Sequence, residues 1–243
     1  VNIEDVELKL LSAEPIEIEE CGKVHIPTVR EVVRMGESKY SQLLSILLLD
    51  KKNIEGESGV TYDPFDILFA NCFHNEEFKQ DFLDAIEMAF RKKATMCDVI
   101  TSSKAFFYFD NGGRIHGDNF AQIQEIIRIG NHARVSNDED TYNPANEVTA
   151  RIIAEMLERK KRKKKPRPTI NLHSMISGLA WKSGVPHISD ILNLTMYQFY
   201  DGYKRIENLD SIHYTLYGIY TGNVDAKKIN IKDLSFAKIL DAK

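Results

Sequence analysis

Eight of the nine residues from Arg159 to Arg167 are lysine or arginine: Arg159, Lys160, Lys161, Arg162, Lys163, Lys164, Lys165 and Arg167. A charge run of this density belongs at the surface, and it divides the chain. Ahead of it, Asn143 and Pro144 read as a helix start, with asparagine as N-cap and proline at the first helical position, where its missing N–H costs nothing. Val148, Ile152 and Met156, with Ile153 beside them, form an apolar stripe at helical spacing. The helix runs into the cations, which its dipole favours at that end, and Pro166 and Pro168 stop it. The organisation expected is an N-terminal α+β domain over 1–142, a capped helix with a basic linker over 143–168, and a helical C-terminal part over 169–243.

The charge changes sign across this divide. Residues 1–142 carry 15 Lys and Arg against 26 Asp and Glu, and residues 143–243 carry 17 against 10. The two parts could attract each other, or a partner with charged patches could bind them. At 243 residues with 43% hydrophobic content, the chain can bury a substantial core. No apolar run reaches the roughly 18 residues of a membrane span, and Val1–Asp5 lacks the basic start and apolar core of a secretory leader. The cysteines, Cys21, Cys72 and Cys97, are odd in number and widely spaced, which fits free thiols in a reducing compartment.

Along the chain, residues 5–26 read as short strands or a β-hairpin. Val6-Glu7-Leu8-Lys9-Leu10 and Ile16-Glu17-Ile18-Glu19 both alternate apolar with charged, and Lys23-Val24-His25-Ile26 follows Gly22. Thr28 with Glu31 makes a capping box, and Met35-Gly36 supplies a stop. A leucine-rich helix is expected over about Ser38–Leu49, and Lys51–Tyr62 reads as a loop. Asp63-Pro64 starts a helix to about His74. Asn75 caps the next one, whose apolar face is Phe78, Phe82, Ile86 and Phe90. Ala105–Phe109, the turn Asp110-Asn111-Gly112-Gly113 and Arg114-Ile115-His116 read as a second hairpin. Asp118 is expected to cap a helix that buries Phe120, Ile123, Ile126 and Ile127. After the basic run, Leu172, Met175, Ile176 and Leu179 share a helical face up to Trp181. Thr195 and Gln198 form another capping box, with Leu194 and Phe199 at the staple positions. A separate last helix is expected over about Ser211–Tyr220.

Recognisable catalytic chemistry is sparse. The chain lacks a phosphate-cradling Gly-rich loop, a nucleophile elbow and an H-E-x-x-H helix. Cys72 and His74 lie two apart on one helix, facing different ways, so a structural role is favoured over a zinc site. Asp138, Glu139 and Asp140 are consecutive and read as a solvated loop. We therefore expect no catalytic, metal or cofactor site. An enzyme would need carboxylates that meet only in the fold, such as Asp98, Asp110 or Asp118.

Two features remain as candidate interaction sites. The basic run could release counterions from phosphates, but no aromatic residue is interleaved to stack on bases; a solvated helix end, or pairing with the chain's own acidic half, is favoured first, an acidic protein partner second and nucleic acid third. The tyrosines Tyr197, Tyr200, Tyr203, Tyr217 and Tyr220 fall at helical spacing, as does Tyr214. Tyrosine suits a core rim and also a protein-binding face, because it joins apolar area to a polar tip.

Several segments carry a resemblance. They are Glu7-Leu8-Lys9-Leu10-Leu11, Ile26-Pro27-Thr28-Val29-Arg30-Glu31 with Gly36-Glu37-Ser38-Lys39-Tyr40, Asn143-Pro144-Ala145-Asn146-Glu147, and Leu194–Tyr200 with Lys204-Arg205. Together they resemble a protein group of tailed bacteriophages and prophages of Gram-positive hosts. The layout, a short hairpin, a helical body and a second helical part, is similar to that of phage tail assembly chaperones. The resemblance implies a non-enzymatic morphogenesis protein of the host cytoplasm, with the tape-measure protein and tail-tube subunits as partners. The alternative is a phage protein that binds nucleic acid through Arg159–Arg167.

Overall fold

The computed structural model describes residues 2–49, 63–97, 105–110, 112–133, 170–184 and 187–240. The expected loop at 51–62, the helix at 144–158, the acidic loop at 137–140 and the basic run all lie outside the described residues.

The chain opens with α1 (Ile3–Leu11), not with a strand. Five alternating residues fit either element, and burial decides between them. Val6 and Leu10, four apart, are buried, whereas Leu8 is 66% exposed. Asn2 accepts the Glu4 N–H as N-cap, Glu4 and Asp5 fill the first turn and Lys9 the last, so the helix is favourably charged at both ends. The strands follow as β1 (Ile16–Ile18) and β2 (Gly22–Val24), antiparallel, with Ile16 opposite Val24. Helix α2 (Val29–Met35) starts at the Thr28–Glu31 capping box and ends at Gly36, whose φ of 95° suits glycine. Helix α3 (Glu37–Leu47) buries Tyr40, Leu43, Ile46 and Leu47.

Helix α4 (Pro64–His74) begins at Asp63, which accepts the Phe65 N–H, and α5 (Glu76–Phe90) begins at Asn75, which accepts the Phe78 N–H. The expected second hairpin is present as β4 (Phe107–Phe109) and β5 (Arg114–Ile115), but it belongs to a three-stranded sheet. Its third strand, β3 (Ala94–Met96), is too short to announce itself and exists through pairing with β4. Helix α6 (Gly117–Gly130) is capped by His116 and not by Asp118, which falls in its first turn. The Asn119 side chain accepts the His116 N–H and donates to the Arg114 carbonyl, so the cap is set two residues earlier than expected. Phe65, Phe69, Phe82, Phe107 and Phe120 meet at centroid separations of 4.9–6.3 Å, which builds the centre of the core from α4, α5, β4 and α6.

The C-terminal part contains α7 (Leu172–Ser183), the short α8 (Ile188–Asn193) and α9 (Met196–Tyr220). The sequence expectation of a separate helix from Ser211 fails. Helix α9 runs unbroken for 25 residues, because Asp210 and Ser211 resemble a cap but sit inside its hydrogen-bonded ladder. Beyond Gly222 the helical elements among the described residues are 3-10 turns, at Ala226–Lys228 and Ile231–Leu234.

The α8–α9 junction is stitched to the N-terminal part by backbone. The Val29 N–H donates to the Leu194 carbonyl at 2.9 Å, and the Met196 N–H donates to the Pro27 carbonyl at 2.8 Å. Thr28 and Thr195, the N-caps of α2 and α9, thereby form an antiparallel bridge. Arg30 donates twice to the Asn193 side chain, at 3.1 and 3.0 Å, and Gln198 donates to the Leu11 carbonyl at 2.8 Å. Phe199 and Met196 are buried in the same core as α1 and α6. The protein is thus a mainly helical α+β fold, with two small antiparallel sheets among the described residues.

Candidate partner-binding surface

The five tyrosines singled out in the sequence fall into two sets. Tyr197 is 7% exposed and its ring stacks on His132, with centroids 5.0 Å apart and planes at 21°. Tyr200 meets the same imidazole edge-on at 6.0 Å, and burial raises its phenol above the ordinary tyrosine range. Lys204 Nζ lies 2.8 Å from His132 Nδ1. The Tyr40 hydroxyl, on α3, donates to the Asn131 side-chain carbonyl, and burial raises that phenol too. This cluster fixes the first half of α9 against α3 and the end of α6. Tyr203 is half-buried on the same stretch of helix.

The second half of α9 is different. Tyr217 and Tyr220 are 69% and 84% exposed, and Tyr214, one turn earlier, is 74% exposed. On the opposite side of the helix, Asn208 and Ile212 are buried, and the Gly218 backbone lies against Val224. Arg205 donates to the Lys238 carbonyl at 2.8 Å and Asn208 to the Ser235 carbonyl at 3.3 Å, so the chain after α9 folds back along that side. Helical periodicity then forces residues 210, 214, 217 and 220 outward. Lys182 on α7 pairs with Asp210 at 2.8 Å, and that carboxylate holds the ammonium above its ordinary range. Trp181, the residue before Lys182, is 81% exposed. Trp181 escaped the sequence list because it closes an apolar helical face and reads as core. Its neighbour Ala180 takes the buried position instead.

The basic residues Arg159–Lys165 and Arg167 lie outside the described residues. Cys72 is buried, and His74 on the same helix faces solvent. Among the described residues, no group of three or more His, Cys, Asp or Glu is arranged to hold a metal ion. Of the carboxylates considered for an enzyme, Asp98 lies outside the described residues. Asp118 lines an open cleft with Glu20, Asp63, Asp66, Arg114 and His116, and Asp110 does not. Several carboxylates do converge there, although Asp63 is already engaged as the cap of α4. Arg114 sits over the Phe106 ring, 5.1 Å from its centroid. No described helix is long and apolar enough to cross a membrane.

No curated protein and no solved structure matches the chain. Residues 160–241, which include most of the basic run, α7–α9 and the returning tail, match the family described as YomV second domain. That family is of a Bacillus phage and prophage type, and the match supports a phage protein.

Proposed function

We propose that this protein is a non-enzymatic phage morphogenesis factor, a tail assembly chaperone that binds the tape-measure protein and tail-tube subunits by protein contact in the host cytoplasm. The observation that carries this reading is the aromatic stripe Tyr214, Tyr217 and Tyr220 on α9, with Trp181 on α7, left exposed while the other side of α9 is covered. Rigid aromatics offer large contact area at low entropic cost, and a long amphipathic helix of a partner can lie along such a stripe. The stripe falls within the segment that matches the phage family. The test is co-expression with the tape-measure protein of the same phage, followed by pull-down with and without nuclease. Recovery of soluble tape-measure protein, insensitive to nuclease and lost in a Tyr214→Ser, Tyr217→Ser, Tyr220→Ser variant, is the expected result. Failure to bind it or keep it soluble would end the proposal.

The second reading, a nucleic-acid-binding phage protein, rests on the density of cations from Arg159 to Arg167. It requires affinity for DNA or RNA that falls steeply with salt, because neutralised phosphates release counterions. A flat salt response would remove it.

A further inference from the structure

Helix α9 is held in two different ways along its length. Its first half sits in the main core through Met196, Tyr197 and Phe199. Ile212, on the second half, is also buried, but it stands outside that core. The chain after Gly222 returns along its side of the helix.

Among the described residues from Thr221 to Leu240 none is buried, and the large side chains Phe236 and Ile239 are 70% and 78% exposed. Ordering each residue of such a tail costs backbone entropy, and buried apolar area is what usually offsets that cost. Two side-chain hydrogen bonds tie the far end of the tail to α9, from Arg205 to the Lys238 carbonyl and from Asn208 to the Ser235 carbonyl. When the tail lifts, the donors and the carbonyls all find water, so the net contribution of each bond is small. Past Val224, main-chain bonds such as Lys228 N–H to the Asp225 carbonyl and Asp233 N–H to the Asn230 carbonyl close within the tail itself. They survive if it swings away as a unit. Its root is fixed, because the Asn223 and Val224 N–H groups both donate to the Gly218 carbonyl, at 2.9 and 3.0 Å.

We propose that the tail past Val224 is a strap that leaves α9 and recloses on it while the rest of the molecule stays folded, a local opening of low free energy. Helix α9 stays in place, held by its first half in the core and by the Lys182–Asp210 pair at 2.8 Å. Opening bares Asn208, Ile212 and Ile219, which fall on one side of the helix at helical spacing. The helix then offers apolar surface on two sides, the exposed tyrosines on one and the two isoleucines on the other. Closed, the strap keeps the second side from non-specific association. Use of the opened side for binding rests on the reading of α9 as the partner-binding helix. The opening does not, and its test contains no partner, so the two fail separately.

The experiment places a thiol under the strap with Ile212→Cys. The full chain is treated with iodoacetamide at neutral pH, and each labelled position is followed by peptide mass spectrometry. Cys21 and Cys72, buried in the main core, report opening of the whole fold in the same molecules. Labelling at position 212 at least tenfold faster than at either of them is expected. Asn208→Cys, one turn earlier on the same side, is a second variant with the same expectation should Ile212→Cys fail to fold. Adding Gly218→Ala puts a Cβ 2.7 Å from Val224 Cγ2 and pushes the strap at its root. Alanine also favours helix over glycine. Strap opening therefore predicts labelling at least threefold faster in the double variant, whereas unravelling of α9 predicts slower labelling. Labelling under the strap that only keeps pace with Cys21 and Cys72, or that fails to rise with Gly218→Ala, would overturn the proposal.

Discussion

Replacing Gly130 with alanine should destabilise the protein, and the sign should reverse when Ile26 is also truncated. Gly130 closes α6, and a Cβ built there lies 2.2 Å from Ile26 Cδ1 and 2.5 Å from Cγ1. Carbon atoms in contact settle near ~3.5–4.0 Å, so Ile26 would have to retreat by more than an ångström. It has little room, being 6% exposed between the first sheet and α2. Overpacking of this kind costs ~1–3 kcal/mol, and two carbons in overlap put the cost near the top of that range. Alanine gains at most ~1 kcal/mol over glycine in helix propensity. The net expectation is a loss of about 2 kcal/mol. Ile26→Ala alone should cost ~2–5 kcal/mol through the cavity it leaves. In that background the nearest remaining atom, Cβ, is 3.7 Å away. Gly130→Ala should then stabilise, by up to the propensity term of ~1 kcal/mol. Urea denaturation of the four members of the cycle measures the coupling. The same sign for Gly130→Ala in both backgrounds would refute the packing account.

Three further perturbations follow from the same structure. Gly113→Ala would place a Cβ 2.4 Å from the Cys21 carbonyl oxygen, a backbone atom that cannot step aside; a loss of ~2 kcal/mol or more is expected by chemical denaturation, and a neutral variant would contradict the contact between the hairpin and the second sheet. Burial pushes the Cys21 and Cys72 thiols up to about 12, so a thiol reagent at neutral pH should label them only as fast as the fold opens, and rapid labelling of native protein would be inconsistent with this. The folded-state pKa of His25 lies below its unfolded value near ~6.5, so the unfolded chain binds more protons and stability should fall as pH drops below that value toward the folded pKa. His25→Gln should flatten this slope, and an unchanged pH profile would refute the assignment.

The capping chemistry was the most legible part of the sequence. Thr28 with Glu31, Asp63 with Pro64, Asn75, and Thr195 with Gln198 all start helices where local rules place them, because a cap depends only on residues within one turn. Elements set by distant partners were not legible. The Val6–Leu10 alternation satisfies a strand, and only the core shows that Val6 and Leu10 face inward together. Strand β3 depends on β4, and the continuity of α9 depends on a tail that covers its inner side. For the same reason, tyrosine spacing alone could not separate Tyr197, stacked in the core, from Tyr217 and Tyr220, which face solvent.

The stitch between the two N-caps also constrains the order in which the molecule can be completed. Arg30 and Asn193 are 163 positions apart in the chain. A ribosome delivers the whole first half before the partner strand of the stitch exists. Until then the Pro27 carbonyl and Val29 amide are open to water, a short free edge on which another chain could pair. Loop-closure entropy rises by only ~0.6 kcal/mol for each doubling of loop length, so the separation costs the finished stitch little equilibrium stability. Its effect is on timing: closure cannot occur before Leu194 and Met196 have been made, and a nascent chain is exposed to misassociation until then.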